Sequence, residues 1–199
     1  MRVIVIILGL LTLLAGFGSR LWPTVDHVYV NGHRHHSAAQ IAWLANVEPG
    51  DPLLWINRWS LADLPEDPWI QNARVVRHWP DTISITVTER VPLLHSGDIA
   101  WAADGTALPG LSPEELAALP RLEGWGEPRV LEAVRILELM GADGLEVISY
   151  TPDGFDIVVE GATIFTPSVA ALEAQWAAVK GRLGSRLAVY PWGVSEQNE

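Results

Sequence analysis

The sequence predicts an α+β protein, with an apolar helix at its start and two small strand-and-helix domains after it. Three observations predict this. Ile83, Ile85 and Val87 alternate with Ser84, Thr86 and Thr88, the period-two pattern of a half-buried strand. Val169, Leu172, Trp176, Val179 and Leu183 recur instead at helical spacing. Residues 3–18 carry no charge at all and are mostly Val, Ile and Leu.

The apolar run comes first in the chain. As a helix, residues 3–18 rise about 24 Å, somewhat less than the ~30 Å hydrocarbon core of a bilayer. Extension through Ser19, Leu21 and Trp22 gives an expected transmembrane helix over residues 3–22, carrying Val3, Ile7, Leu11, Leu14 and Trp22. Residues 1–2 form a short cytoplasmic end in this reading. The bulk of the chain then lies on the periplasmic or extracytoplasmic side of the cell (inner) membrane. An uncleaved anchor is favoured over a cleaved signal peptide, for which Gly16 and Gly18 supply small residues at a −3/−1 spacing.

Composition narrows the function classes. The 199 residues include no cysteine, which excludes disulfide staples and thiolate metal sites. The formal charge of −11 is uneven. Residues 1–90 carry 7 basic and 8 acidic side chains, while residues 91–199 carry 6 and 16. A surface that acidic repels phosphate backbones, so nucleic acid is not an expected partner.

After the apolar run, residues 25–30 read as a strand closed by Asn31-Gly32. Ser37 caps an expected helix to Leu44, with Ile41 and Leu44 on one face. The breakers Glu48-Pro49-Gly50-Asp51-Pro52 make a loop, from which Leu53, Leu54 and Ile56 return to a core. Residues 61–64 suggest a second short helix. Ala73, Val75 and Val76 form a strand, and Trp79-Pro80 turns the chain into the alternating strand already described. The order is β-α-α-β-β over about seventy residues, an ordinary size for a small domain.

This order, together with Val28, Val30, Gly32, Ser37, Ile41, Gly50, Leu53, Pro68-Trp69, Ala73, Val75, Arg77, Trp79-Pro80, Ile85, Val87, Glu89-Arg90 and Pro92, resembles a POTRA domain. It looks in particular like the POTRA domain of the FtsQ/DivIB family of bacterial cell-division proteins. The resemblance is dense over residues 25–92 and covers the layout of the remainder. It implies a POTRA domain at 23–92, a C-terminal β-sheet domain packed with one or two helices at 93–194, and a polar tail at 195–199.

In the second domain, Asp104-Gly105 marks a hairpin between residues 99–103 and 106–108. Residues 111–119 suggest one or two helical turns. A helix from Pro128 to Met140, stopped by Gly141, is expected to bury Val130, Leu131, Val134 and Leu137. Residues 145–150 and 155–160 flank a Pro-Asp-Gly turn, and residues 162–165 add a strand. Ser168 caps the last helix, which Gly184 is expected to stop. Residues 187–192 form the final strand. Pro191 lacks an N–H and so marks this strand as an edge.

Several groups invite a chemical reading. His33-Arg34-His35-His36 is read as a solvated loop rather than a metal site, because adjacent histidines on a strand face opposite ways. Glu132 and Glu138 look like the wet face of a helix, not the paired acids of a glycosidase. No nucleophile elbow, zinc-binding helix or phosphate-cradling glycine loop is present in the sequence, so no catalytic residue, cofactor or metal is assigned. Of the ten tryptophans, Trp43, Trp69, Trp79 and Trp176 fall on core or core-edge positions. Core packing is favoured for Trp55 and Trp59 and an interface for Trp192.

The resemblance implies a non-catalytic scaffold of the divisome that recruits FtsB/DivIC-like and FtsL-like partners at the septum. It places strand addition on the last strand, at Leu187, Val189, Tyr190, Trp192 and Gly193. Tyr190 matches a tyrosine typical of that strand, while Val189 stands where some lineages carry arginine. The other reading of residues 187–192 is a strand that merely closes the sheet. The alternatives are a POTRA-type chaperone or assembly factor for exported or outer-membrane proteins and, third, a cell-wall hydrolase.

Overall fold

A computed structural model describes residues 2–21, 23–56, 64–124 and 129–197, arranged in two compact units, Met1–Arg90 and Val91–Glu199. The chain begins with a helix, α1 (Arg2–Leu21). Among the described residues, no helix is long and apolar enough to cross a membrane, which corrects the expected span over residues 3–22. The reason is length. The uncharged run, residues 3–18, rises about 24 Å as a helix against a hydrocarbon core of ~30 Å. Trp22, which the expected span needed, lies outside the described residues.

The first unit continues with β1 (His27–Asn31), α2 (Ala38–Leu44), a 3-10 turn (Leu64–Glu66), β2 (Ile70–His78) and β3 (Thr82–Glu89). The sheet order is β1-β3-β2, with β1 parallel and β2 antiparallel to the central strand. The alternation read in the sequence sets the core face, because Ile83, Ile85 and Val87 are all buried. Each such side chain contributes about 1.5–3 kcal/mol. Ile41, Leu53 and Ile70 pack on the same cluster. Ser37 caps α2 in a reciprocal box: its hydroxyl accepts from Gln40 N, while the Gln40 side chain accepts from Ser37 N. The expected helix at 61–64 falls mostly, and Trp59 wholly, outside the described residues; from Leu64 the chain forms the 3-10 turn.

Four side chains expected in this core are elsewhere. Trp43 is 74% exposed, because α2 buries only Ile41 and Trp43 follows two positions later, on the opposite side of the helix. Trp79 is 62% exposed at the β2–β3 turn, beyond the end of the sheet. Leu54 and Trp55 are half exposed, because Leu53 and Ile56 take the inward positions of that turn. Trp69 is buried as expected.

The second unit runs β4 (Pro92–Ser96), β5 (Ile99–Ala102), β6 (Ala107–Leu108), α3 (Pro113–Ala117), β7 (Arg121–Gly124) and α4 (Val130–Met140). It continues through β8 (Leu145–Thr151), β9 (Gly154–Val159), β10 (Ala162–Thr166), α5 (Val169–Lys180), β11 (Leu187–Tyr190) and β12 (Gly193–Glu196). One sheet in the order β12-β11-β10-β9-β8-β7-β4-β5-β6 carries α4 and α5, which Arg135 Nε and Glu173 Oε1 join at 2.6 Å. Ile148, Ile157, Ile164 and Leu187 line up across neighbouring strands in register and pack beneath these helices.

Here too the structure corrects details. Leu131 is 61% exposed. The buried face of α4 is Val130, Ala133, Val134 and Leu137, joined by Ile136, from which Leu131 is turned away. Pro128, the expected first helical residue, is outside the described residues. Helix α5 ends at Lys180 with Gly181 as its C-cap rather than at Gly184, so Leu183 lies beyond it and is partly exposed. Residues 195 and 196, expected as tail, belong to β12.

Candidate docking edge

The strand read as the outermost, residues 187–192, is not at the edge. β11 stops at Tyr190 and lies between β10, to which it is parallel, and β12, to which it is antiparallel. Leu187 and Val189 are buried. The misreading comes from Pro191. It sits in a two-residue turn, where a missing N–H costs nothing, so it does not mark an edge. Gly193 then returns the chain as β12, the outer strand of the sheet.

The backbone of β12 has one used and one open side. Antiparallel pairs alternate between those that exchange hydrogen bonds and those that do not. Gln197 N donates to Arg186 O at 2.8 Å, and the register pairs Ser195 with Ala188 and Gly193 with Tyr190, two steps on each time. Those are the bonded pairs. Val194 and Glu196 therefore turn their N–H and C=O groups outward.

An aromatic row runs beside this edge. Trp192 is 82% exposed and stacks on Tyr190 with ring centroids 5.0 Å apart and planes 6° from parallel. Tyr190 in turn meets Phe165 at 6.0 Å. Gln175 Nε2 donates to Pro191 O at 3.1 Å, so α5 holds the turn that carries Trp192. Of the residues expected at the site, Tyr190, Trp192 and Gly193 thus gather at the β11–β12 turn, and Leu187 and Val189 support it from inside. Val194 and Glu196 were missed. Their signal is a two-residue turn followed by glycine, weak because the residues after it, Ser195 and Glu196, are polar.

In the first unit the outer strands are β1 and β2. The His33–His36 loop is fixed by a carboxylate. Glu89 Oε2 accepts from Arg34 N (2.7 Å) and His35 N (2.6 Å), and Oε1 accepts from His36 N (3.1 Å). Partial burial pushes the Glu89 carboxyl up, but the three N–H donors, aided by the charge of His36, outweigh it and hold its pKa below the ordinary value. His36 Nε2 lies 3.0 Å from Asp67 Oδ1, and the His35 ring stacks on Trp69 at 3.6 Å. Arg90 Nη1 donates to Pro68 O and Ile70 O, both at 2.9 Å. His35 and His36 are thereby structural. Among the described residues, no group of three or more His, Asp or Glu side chains is placed to hold a metal ion. Glu132 is paired with Arg129 at 2.7 Å.

The family profile "POTRA domain, FtsQ-type" matches residues 24–90, the β1-α2-β2-β3 unit with its Glu89–Arg90 end. The cell division protein FtsQ of Geobacter sp. (strain M21) is 36% identical over 69 residues, 34% of this chain and 25% of that protein. FtsQ of Streptomyces collinus is 36% identical over 102 residues, 47% and 38% of the two chains. Residues 24–90 are thus similar to an FtsQ-type POTRA domain, and the likeness to FtsQ proteins continues beyond it. With FtsQ of Streptomyces griseus, 30% identity extends over 133 residues, 58% of this chain and 63% of that one. The match to the first two relatives spans a quarter to about two-fifths of their length.

Proposed function

We propose that this chain is an FtsQ-family, non-catalytic docking component of the divisome that binds an FtsB/DivIC-like partner, together with an FtsL-like one, by strand addition to β12. The single observation that carries the reading is the outward-facing backbone of Val194 and Glu196 beside the Phe165–Tyr190–Trp192 row. Open backbone groups supply affinity to an incoming strand, and exposed aromatic rings supply a hot spot next to them. The unmatched arginine position supports a backbone-led contact: Val189 is buried in the sheet and presents no charge. Docking of this kind raises the local concentration of every partner held at the septum, and each further contact becomes effectively intramolecular.

Proline scanning of β12 tests it. Val194→Pro removes an outward N–H and leaves the β11 ladder intact, so binding of an FtsB-like partner, measured by calorimetry, should weaken about tenfold or more while the fold is kept. Tyr190→Glu should weaken it on a similar scale. Wild-type affinity in the folded Val194→Pro protein would refute the β12 assignment.

A further inference from the structure

Unit 1 exposes a second apolar surface, and its backbone tethers say where it lies. Thr24 bridges Pro52, Leu53 N donates to Pro23 O at 2.9 Å, and so the turn bearing Leu54 and Trp55 is sewn to the segment that directly follows α1. From the other side, Asp81 O accepts from Asp26 N (2.8 Å) and His27 N (3.2 Å), which brings the Trp79–Asp81 turn to the same segment. Arg77 Nη1 reaches Leu54 O at 3.4 Å and joins the two turns. Leu54, Trp55 and Trp79 thus form an exposed collar around residues 23–27, with Arg77 between them.

We infer that this collar rests in the interfacial layer of a lipid bilayer. Tryptophan with leucine and a long basic side chain is the composition that partitions to the headgroup boundary, since each ring or stem has an apolar body and a polar end. The occupant is a lipid surface because the exposed apolar surface continues along the chain. The collar surrounds the strand entrance just after α1, on which Ile4, Ile7, Leu8, Leu11 and Leu14 are among the exposed apolar side chains. The contact is peripheral and requires no helix to cross the bilayer. Charge contributes little to it: Asp26 and Asp81 flank the collar and offset Arg77. The interaction is therefore apolar and survives salt that would screen surface charge. It is independent of strand addition at β12, so either can fail alone.

The test uses the full chain with vesicles of phosphatidylethanolamine and phosphatidylglycerol containing brominated acyl chains, which quench tryptophan at the interface. Replacing both rings (Trp55→Ser with Trp79→Ser) should remove the part of the quenchable emission those rings contribute, in low and high salt alike. In the unsubstituted chain, vesicles should protect the same part from iodide in the water. Trp79 is exposed and Trp55 half exposed, so the variant should keep the wild-type circular dichroism; Leu54→Lys, which leaves both rings in place, should lower their quenching. Equal lipid quenching with and without the two rings, or full iodide access to them on vesicles, overturns the inference. So does quenching that salt abolishes.

Discussion

In the POTRA unit one carboxylate, Glu89, gathers three backbone N–H groups from residues 53 to 55 positions away. In the second unit, nine strands are joined almost wholly by backbone ladders, and β7 meets β4 through the single pair His95↔Arg121. The difference follows from size. A three-stranded sheet with one short helix buries too little apolar surface to fix its own loops, so side-chain-to-backbone bonds do so. A long sheet under two helices has a core large enough to position its strands, and it leaves an outer strand open at β12.

Core truncation is the harshest way to break this contrast. Ile85→Ala in the first unit and Ile157→Ala in the second remove fully buried side chains from central strands. Each should cost about 2–5 kcal/mol, read by urea denaturation. Each substitution should shift the transition of its own unit and leave the other in place.

A smaller effect sharpens it. Glu89→Gln keeps the shape but not the charge, and should destabilise the POTRA unit by about 1–2 kcal/mol, since the site is partly solvated. The sign with pH is fixed by the depressed folded pKa. Above the ordinary carboxylate value the stabilisation is fully present, and it is lost as pH falls through the folded pKa. The Glu89→Gln unit should lack that acid-side loss, and melting curves in acid buffers check it. The second unit should show the same pH response in both proteins.

The least effect is at the helix starts. Ser37 and Ser112 both form reciprocal caps, with Gln40 and with Glu115. Ser37→Ala and Ser112→Ala should each cost about 1 kcal/mol. Equal losses would show that capping, unlike loop anchoring, contributes alike in the two units.

What the sequence revealed follows the same division. Ile83, Ile85 and Val87 were legible because a central strand facing one core must alternate. The caps at Ser37 and Ser168 were legible because their chemistry is local. β4, β7 and β12 were not, because the pattern of each is short or polar: Pro92 opens the first, Arg121 and Glu123 occupy the second, Ser195 and Glu196 the third. Their strand character comes from neighbours in space. The Glu89 anchor was equally hidden, since its partners are N–H groups that every residue type but proline carries. At the proposed docking edge Tyr190 and Trp192 were legible, but Phe165 was not, and the open backbone lay one turn further on.

The parallel pairing of β1 with β3 decides how the POTRA unit bears mechanical load. The chain enters at the start of one strand and leaves at the end of its parallel neighbour, so the two attachment points lie at opposite ends of the ladder. Tension along the polypeptide therefore acts in shear, distributed over the five register pairs from His27↔Thr82 to Asn31↔Thr86. An antiparallel hairpin pulled from its open end would unzip one rung at a time; this unit resists as a block.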